Sequence, residues 1–290
     1  MLVWKRQEVQ KMSLSKLTKK WVASKLPKRP KDANKGTFGK VLVIAGSENY
    51  PGAAYLCCAA AYRTGAGLVT LATTDSVKVI VSRKLPEVTL LSLDEVFDKL
   101  NEYDVLLIGP GLGQSGETVV FVKQLIKEKL PKTVIDGDGL NILSKMESWW
   151  ERLREEVVLT PHPGEMVRLT GLSIKEIQSN RESIAIRFAK KWKKVVVLKG
   201  ANTVIASPGG EVAVSPFANP ALATAGTGDI LAGILAGLIA QKMDLFDAAG
   251  AAIYLHGQAG EKLKEEFTEG GAIASDLLKI LPQVLKSLKE

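Results

Sequence analysis

Gly226-Thr227-Gly228-Asp229 is the segment of this chain best suited to chemistry. It closes the stretch Asn219-Pro220-Ala221-Leu222-Ala223-Thr224-Ala225-Gly226-Thr227-Gly228-Asp229, and an apolar run from Ile230 to Ala240 follows directly. Small residues ahead of a helix leave its first N–H groups open, and those groups together with the helix dipole attract anions. A carboxylate there repels phosphate. Asp229 makes sense as a base that takes a proton from a hydroxyl lying beside the phosphate. Gly226, Thr227, Gly228 and Asp229 thus read as a phosphoryl-transfer site. They would also serve a plain helix start, capped by Thr227 or Asp229 with glycines for a tight turn.

Four further segments carry candidate chemistry. Gly109-Pro110-Gly111-Leu112-Gly113 lacks the spacing of a dinucleotide fingerprint and the Lys of a P-loop. Its glycines let a ligand lie against backbone, or they simply make a rigid turn. Asp136-Gly137-Asp138-Gly139 sets two carboxylates together. They suit a magnesium or phosphate-proximal site, or a helix cap. Asp138 is read as the cap of a helix beginning near Leu140, and Asp136 as the residue facing the site. His162 stands between Pro161 and Pro163, with Gly164-Glu165 next. Flanking prolines fix the backbone and aim the imidazole, which favours a site role. Glu165 is placed to cap the first turn of the helix that follows. Lys199-Gly200-Ala201-Asn202-Thr203 offers a cation beside a glycine, suited to a nucleotide phosphate or to a surface turn.

The elements that position these segments repeat as strand, polar turn, helix. Val41–Ile44, Leu68–Leu71, Val105–Ile108, Thr133–Ile135, Val157–Leu159 and Val195–Leu198 are short continuous apolar runs. Such runs mark strands covered on both faces of a parallel sheet. Helices are predicted over Tyr55–Thr64, Val119–Leu130, Ser173–Trp192 and most of the chain from Ile230. Val204–Ala206 and Glu211–Val214 flank Pro208-Gly209-Gly210 as a hairpin. No repeat or interdomain linker is visible. The reading is one three-layer α/β domain with a mainly parallel central sheet. In such sheets ligands bind beyond the carboxyl ends of the strands, which is where every candidate motif falls.

Composition excludes several other classes. Residues 1–40 hold twelve Lys or Arg against two acids, so the remainder of this +8 chain is slightly acidic. The body is not a nucleic-acid surface, and the basic arm is expected to be a solvated segment that wraps the domain or stays mobile. Adjacent Cys57 and Cys58 lie in an apolar run and read as buried, inert thiols. With two histidines, His162 and His256, no zinc cluster forms, and no residue is assigned as a metal ligand. His256 is expected to be a packing residue. The run Ile230–Ala240 is too short to span a bilayer, and Gly233 and Gly237 read as close helix packing. No signal peptide is seen, so a cytoplasmic location is expected.

Taken together, these motifs resemble the ribokinase-like superfamily and, more narrowly, the ADP-dependent NAD(P)H-hydrate dehydratases. The resemblance rests on Lys35-Gly36-Thr37-Phe38-Gly39-Lys40, Pro51-Gly52-Ala53-Ala54, Arg63-Thr64-Gly65-Ala66-Gly67, Gly109–Gly113, Asp136–Asn141, Thr160–Glu165, Lys199–Thr203 and Asn219–Asp229 with Leu231-Ala232-Gly233. It runs in order from about Leu26, which marks residues 1–25 as a basic extension and 26–290 as the domain. Gly137 stands where Ala is usual in the family, and Ala225 where Gly is commoner. The resemblance implies a substrate, (6S)-hydrated NADH or NADPH, and a phosphoryl donor, ADP with ATP as the alternative, assisted by Mg2+. Phosphorylating the ring hydroxyl turns hydroxide into a phosphate leaving group, so elimination restores the double bond and leaves AMP and phosphate. By the same resemblance Ala53, Gly111, Asp136, His162 and Asp229 meet the substrate. Lys199, Gly200, Ala201, Asn202, Thr203 and Gly228 meet the adenine nucleotide. A homotetramer is implied, as is a separate NAD(P)H-hydrate epimerase partner, since residues 1–34 leave no room for a fused one. Two other functions fit parts of the sequence: an ATP-dependent kinase of a small vitamin-precursor alcohol, which would share Asp229, and nucleic-acid binding through the basic arm.

Overall fold

The structure is a computed structural model, and it describes residues 14–289. Ten strands form one sheet: β1 (Leu14–Lys16), β2 (Lys40–Ile44), β3 (Leu68–Ala72), β4 (Thr89–Leu91), β5 (Val105–Ile108), β6 (Lys132–Ile135), β7 (Val157–Leu159), β8 (Val195–Leu198), β9 (Val204–Ala206) and β10 (Val212–Val214). Their order is β1-β10-β9-β8-β7-β6-β5-β2-β3-β4. β9 runs antiparallel to both neighbours, closing the expected hairpin with β10, and every other pairing is parallel.

The apolar runs are continuous because each strand feeds two cores. Val41 and Val43 of β2 face one layer, while Leu42 and Ile44 face the other. The first layer holds helices Pro51–Thr64, Thr227–Ala240, Leu245–Gly271 and Ala274–Ser287. The second holds Gly116–Leu125, Gly137–Leu143, Pro163–Thr170 and Arg181–Trp192. Register then sets the site. Ile44 pairs with Ile108, Ile108 with Ile135 and Ile135 with Leu159, so the turns after β2, β5, β6 and β7 leave the sheet side by side.

Several element boundaries differ from expectation. The first long helix starts at Pro51, not Tyr55, because a proline at the first helical positions loses no hydrogen bond. The predicted Val119–Leu130 helix runs Gly116–Leu125, with the Ser115 side chain accepting from the Thr118 N–H at its start. The Ser173–Trp192 helix is two, Ile174–Ser179 and Arg181–Trp192, broken at Asn180. The helix expected near Leu140 begins at Gly137.

Part of the basic arm lies within the description. β1 joins the sheet edge beside β10, and helix Lys19–Lys25 follows it. Leu17 and Val22 are buried, Lys25 pairs with Asp247 at 2.7 Å, and Trp21 packs over Gly250. Residues 1–13 lie outside the described residues.

The tightest packing in the first layer is between helices Pro51–Thr64 and Thr227–Ala240, as Gly233 and Gly237 suggested. A Cβ at Gly233 would lie 2.3 Å from the Cys57 carbonyl oxygen, and one at Gly237 would lie 2.8 Å from that of Ala61. Gly233→Ala is therefore expected to destabilise the protein by about 1–3 kcal/mol, the usual cost of overpacking. Gly116→Ala, where an added Cβ meets nothing within 4 Å, is expected to be neutral or slightly stabilising. Urea denaturation of both variants checks this. Equal stability of the two would mean that the helix pair separates freely.

Candidate functional site

Helix Thr227–Ala240 starts at Gly226, whose φ of +93° is left-handed and suits a residue without Cβ. The Thr227 hydroxyl lies 2.8 Å from the Leu222 carbonyl oxygen and 3.0 Å from that of Thr224, and its N–H donates to the Thr224 carbonyl. Thr227 thus holds the preceding loop, and its N–H is not open to an anion as expected. Among the described residues, the Gly228 and Asp229 N–H groups have no backbone acceptor, which leaves these two open at the helix start. Asp229 shares a cavity of about 430 Å³ with Ala53, Gly111, Tyr50, Asp138 and Asn141 among others. Gly111, with φ +58°, packs so closely that a Cβ there would lie 2.7 Å from the Ala53 side chain.

A second group of residues adjoins the helix start. Asp136, 2% exposed, accepts from Thr160 Oγ1 at 2.7 Å and from Lys199 Nζ at 2.5 Å. Lys199 Nζ also lies 3.6 Å from where a Cβ on Gly228 would sit, so it reaches the helix start. Its charge is therefore already engaged by Asp136, and it is no free surface cation. The buried carboxyl of Glu165 accepts from the His162 N–H, as its capping position suggested. Asp136 holds Lys199 directly, and Glu165 and Asp229 lie close enough to add to its field. Burial raises the Asp229 pKa to about 7, Asp136 adds to the rise and Lys199 opposes it. Glu165 is likewise raised to about 7, first by burial. Burial alone would lower the Lys199 pKa, but Asp136 and Glu165 turn the net shift upward.

His162 is held differently from expectation. Its Nδ1 accepts from the N–H groups of Gly164 and Glu165, at 3.0 and 3.3 Å, so the imidazole itself caps helix Pro163–Thr170. That fixes the proton on Nε2, 3.3 Å from Glu165 Oε1, with half of the side chain exposed. Burial, followed by the Lys199 charge, lowers its pKa and keeps the ring neutral. His162 stands beside the lysine group and is not a wall of the 430 Å³ cavity. The pattern of a polar residue three before Glu165, with Pro at the first helical position, was a legible capping signal.

The turn after β8 is self-contained. Asn202 has φ +52° and donates its amide to the Ser215 carbonyl, and the Thr203 hydroxyl donates to the Gly200 carbonyl. The side chains of Asn202 and Thr203 shape the loop, Ala201 adds no polar group, and Gly200 brings backbone near Arg181. Arg181, unassigned from sequence, donates to the Leu198 and Lys199 carbonyls and so anchors the strand end that carries Lys199. Asp138 does not cap a helix. It accepts from the Gly113 N–H, the Gln114 amide and the Asn141 amide. Cys57 and Cys58 are buried free thiols, and Cys57 Sγ donates to the Asp229 carbonyl at 3.3 Å. His256 is buried and held neutral by burial, with its pKa near 4. A smaller cavity of about 260 Å³ includes Leu26, Arg29, Arg63 and Gln241, apart from these groups.

The donor set fits magnesium carried on a nucleotide. Among the described residues no group of three or more His, Cys, Asp or Glu forms a metal cage. Magnesium at phosphate sites needs only one or two carboxylates, and the carboxylate excess around Lys199 is the charge a divalent cation would offset. Asp136, bonded to Thr160 and Lys199 through Oδ1 only, is the residue that would supply an oxygen ligand.

Comparison with known proteins gives consistent matches. A family model described as NAD(P)H-hydrate dehydratase matches residues 41–283. The chain is 42% identical over 287 residues to the bifunctional NAD(P)H-hydrate repair enzyme Nnr of Moorella thermoacetica, covering 94% of this chain and 54% of that protein. The chain thus spans about half the length of the bifunctional curated relatives it matches. It is 34% identical to the ADP-dependent (S)-NAD(P)H-hydrate dehydratase of Bacillus subtilis, covering 93% of this chain and 97% of that one. The crystal structure of a Bacillus subtilis ADP/ATP-dependent NAD(P)H-hydrate dehydratase co-crystallised with ATP and Mg2+ superposes with a TM-score of 0.86 at 35% identity. That match covers 96% of this chain and 99% of that one.

The Asp136–Lys199 pair yields a test of its own. Lys199→Ala leaves a buried carboxylate unpaired, which is expected to cost about 3–5 kcal/mol. Adding Asp136→Asn is expected to recover most of that loss. A denaturation cycle over the four proteins measures the coupling, and additive effects would show that the pair is not a unit.

Proposed function

This chain belongs to the NAD(P)H-hydrate dehydratase family, and on that premise we propose that it dehydrates (6S)-hydrated NADH or NADPH at the expense of ADP. The observation that carries the reading is Asp229: a carboxylate raised to about 7 beside open helix N–H groups and on the wall of a ligand-sized cavity. A carboxylate of that basicity accepts a proton near neutrality, which is what activating a ring hydroxyl requires. The hydroxyl oxygen attacks the terminal phosphorus of ADP, the bond from that phosphorus to the bridging oxygen breaks, and AMP leaves. Gly228 and Asp229 N–H groups and Lys199 stabilise the charge on the transferring group. Loss of phosphate from the ring, driven by the ring nitrogen lone pair with departure of a neighbouring proton, restores the double bond. Magnesium, when bound, neutralises nucleotide phosphate charge.

Within this proposal Ala53, Gly111, Asp136, His162 and Asp229 serve the substrate, with Gly226 and Thr227 shaping the helix start. Gly228 and the segment Lys199–Thr203 serve the nucleotide, ADP with ATP as the alternative. Residues 26–290 are the catalytic unit, cytoplasmic and homotetrameric, working with an NAD(P)H-hydrate epimerase. Light scattering of the purified chain tests the assembly. Among the described residues no helix is long and apolar enough to cross a membrane. The names of the relatives support repair of hydrated cofactor and do not favour the kinase alternative.

Asp229→Asn tests the mechanism. Turnover of hydrated NADH, followed by recovery of reduced-nicotinamide absorbance, is expected to fall by about 10²–10⁴. Wild-type kcat/KM is expected to rise with pH up to about 7 and level off, and the variant to lose that limb. Stability has the opposite sign. The Asp229 pKa is raised above its unfolded value of about 3.9, so its stabilising contribution is complete below that pH. It is lost as pH rises through about 7. At pH 8 the Asn variant is therefore expected to melt higher than wild type, by roughly 2–4 °C for each kcal/mol of that loss. A variant within threefold of wild-type turnover would remove Asp229 from the mechanism.

A further inference from the structure

The wall of the cavity that holds Asp229 includes Gln114, Asp138 and Asn141. It contains two carboxylates and no cation, which is a poor lining for a phosphate-bearing ligand. Directly behind its wall, however, stand two exposed cations. Lys145 Nζ donates to Gln114 Oε1 at 2.8 Å, and Arg168 Nη1 donates to Asn141 Oδ1 at 3.2 Å. Both amides are fixed from the other side. Gln114 Nε2 and Asn141 Nδ2 donate to Asp138 Oδ1, at 2.9 and 3.4 Å, while the Gly113 N–H donates to Asp138 Oδ2 at 2.9 Å. Asp138 thereby turns both amide nitrogens inward, and both amide oxygens face outward to a cation. Among the described residues neither Lys145 nor Arg168 forms an ion pair with a carboxylate. An ammonium has three donors and a guanidinium five, so each keeps its charge and most of its donors free.

We infer that Lys145 and Arg168 form a clamp for a phosphate group of the dinucleotide substrate, positioned by Gln114 and Asn141 through Asp138; this rests on the proposed function. The size of the cavity supports it. Pockets for drug-sized ligands run to roughly 300–1,000 Å³, and this one, about 430 Å³, holds the ring end of a dinucleotide and not the whole. With the ring hydroxyl at Asp229, the rest of the substrate extends past the walls. The wall made by Gln114 and Asn141 is backed by two exposed cations. Arg168 also links this wall to the His162 loop, since its Nη1 lies 4.0 Å from where a Cβ on Gly164 would sit. The phosphate has two possible sources, the pyrophosphate common to both cofactors and the 2′-phosphate of the NADPH form.

The test compares wild type with Lys145→Met, Arg168→Met and the double variant, all checked for unchanged melting temperature. kcat/KM is measured for hydrated NADH and hydrated NADPH at saturating ADP, and affinity for NADPH and NADH by calorimetry. Each substitution is expected to lower kcat/KM about tenfold through KM, the value of one charge-assisted hydrogen bond, with kcat and the ADP constant unchanged. Equal losses on both hydrates identify the pyrophosphate, and a loss confined to hydrated NADPH identifies the 2′-phosphate. Arg168→Lys and Lys145→Arg are expected to retain most of the affinity. A double variant within twofold of wild type on both substrates, or one whose loss falls on ADP, overturns the clamp. If wild type turns over neither hydrate, the dehydratase reading fails, and NADPH binding then decides the clamp: loss in the double variant upholds it. Unchanged or absent binding overturns it.

Discussion

The contact on which the site depends is the close crossing of helices Pro51–Thr64 and Thr227–Ala240. Gly233 and Gly237 bring one backbone against the carbonyls of Cys57 and Ala61, and alanines fill most of the facing surface. One helix offers Ala53 near its first turn, and the other offers Asp229 near its own. Their approach sets the width of the cavity between them. The Cys57 thiol closes the junction by donating to the Asp229 carbonyl. Dense interiors transmit small displacements, so a single methyl at Gly233 is felt where the carboxylate stands.

Charge is the second constraint, and it works against stability. Three carboxylates face one lysine, and burial keeps water from screening them. The fold answers by letting Asp229 and Glu165 hold protons near neutrality and by keeping His162 and His256 uncharged. Strain of this kind persists at functional sites because the scaffold elsewhere over-determines the geometry.

The sheet was legible because parallel strands buried on both faces leave unmistakable apolar runs, and Val105–Ile108 and Val195–Leu198 appear where their residues place them. Boundaries set by capping were harder to see. Pro51 extends a helix backwards by a turn, and Asn180 splits one that periodicity alone runs together. At the candidate site, residue type pointed to loops that the sheet sets side by side, while side-chain commitments escaped detection. Asp138 went to a network with Gln114 and Asn141, His162 became a cap, and Lys199 found Asp136 across 63 positions of chain. Such partners follow from which turns the sheet sets side by side, and no local pattern reveals them.

Two of the motifs that carried the family resemblance lie away from the chemistry. Lys35–Phe38 and Arg63–Gly67 sit at the amino ends of β2 and β3, opposite the turns that form the site. There a Cβ at Gly67 would strike the Lys35 carbonyl oxygen at 1.8 Å, and one at Gly39 would strike that of Ala240 at 2.1 Å. Ala240 is the last residue of the helix whose first turn carries Asp229. Gly39 therefore seats the far end of that helix, Gly233 and Gly237 its middle, and Thr227 its start. A motif distinctive of a dehydratase need not touch a substrate. These glycines act at a distance, by allowing only one placement of the rigid rod that carries Asp229.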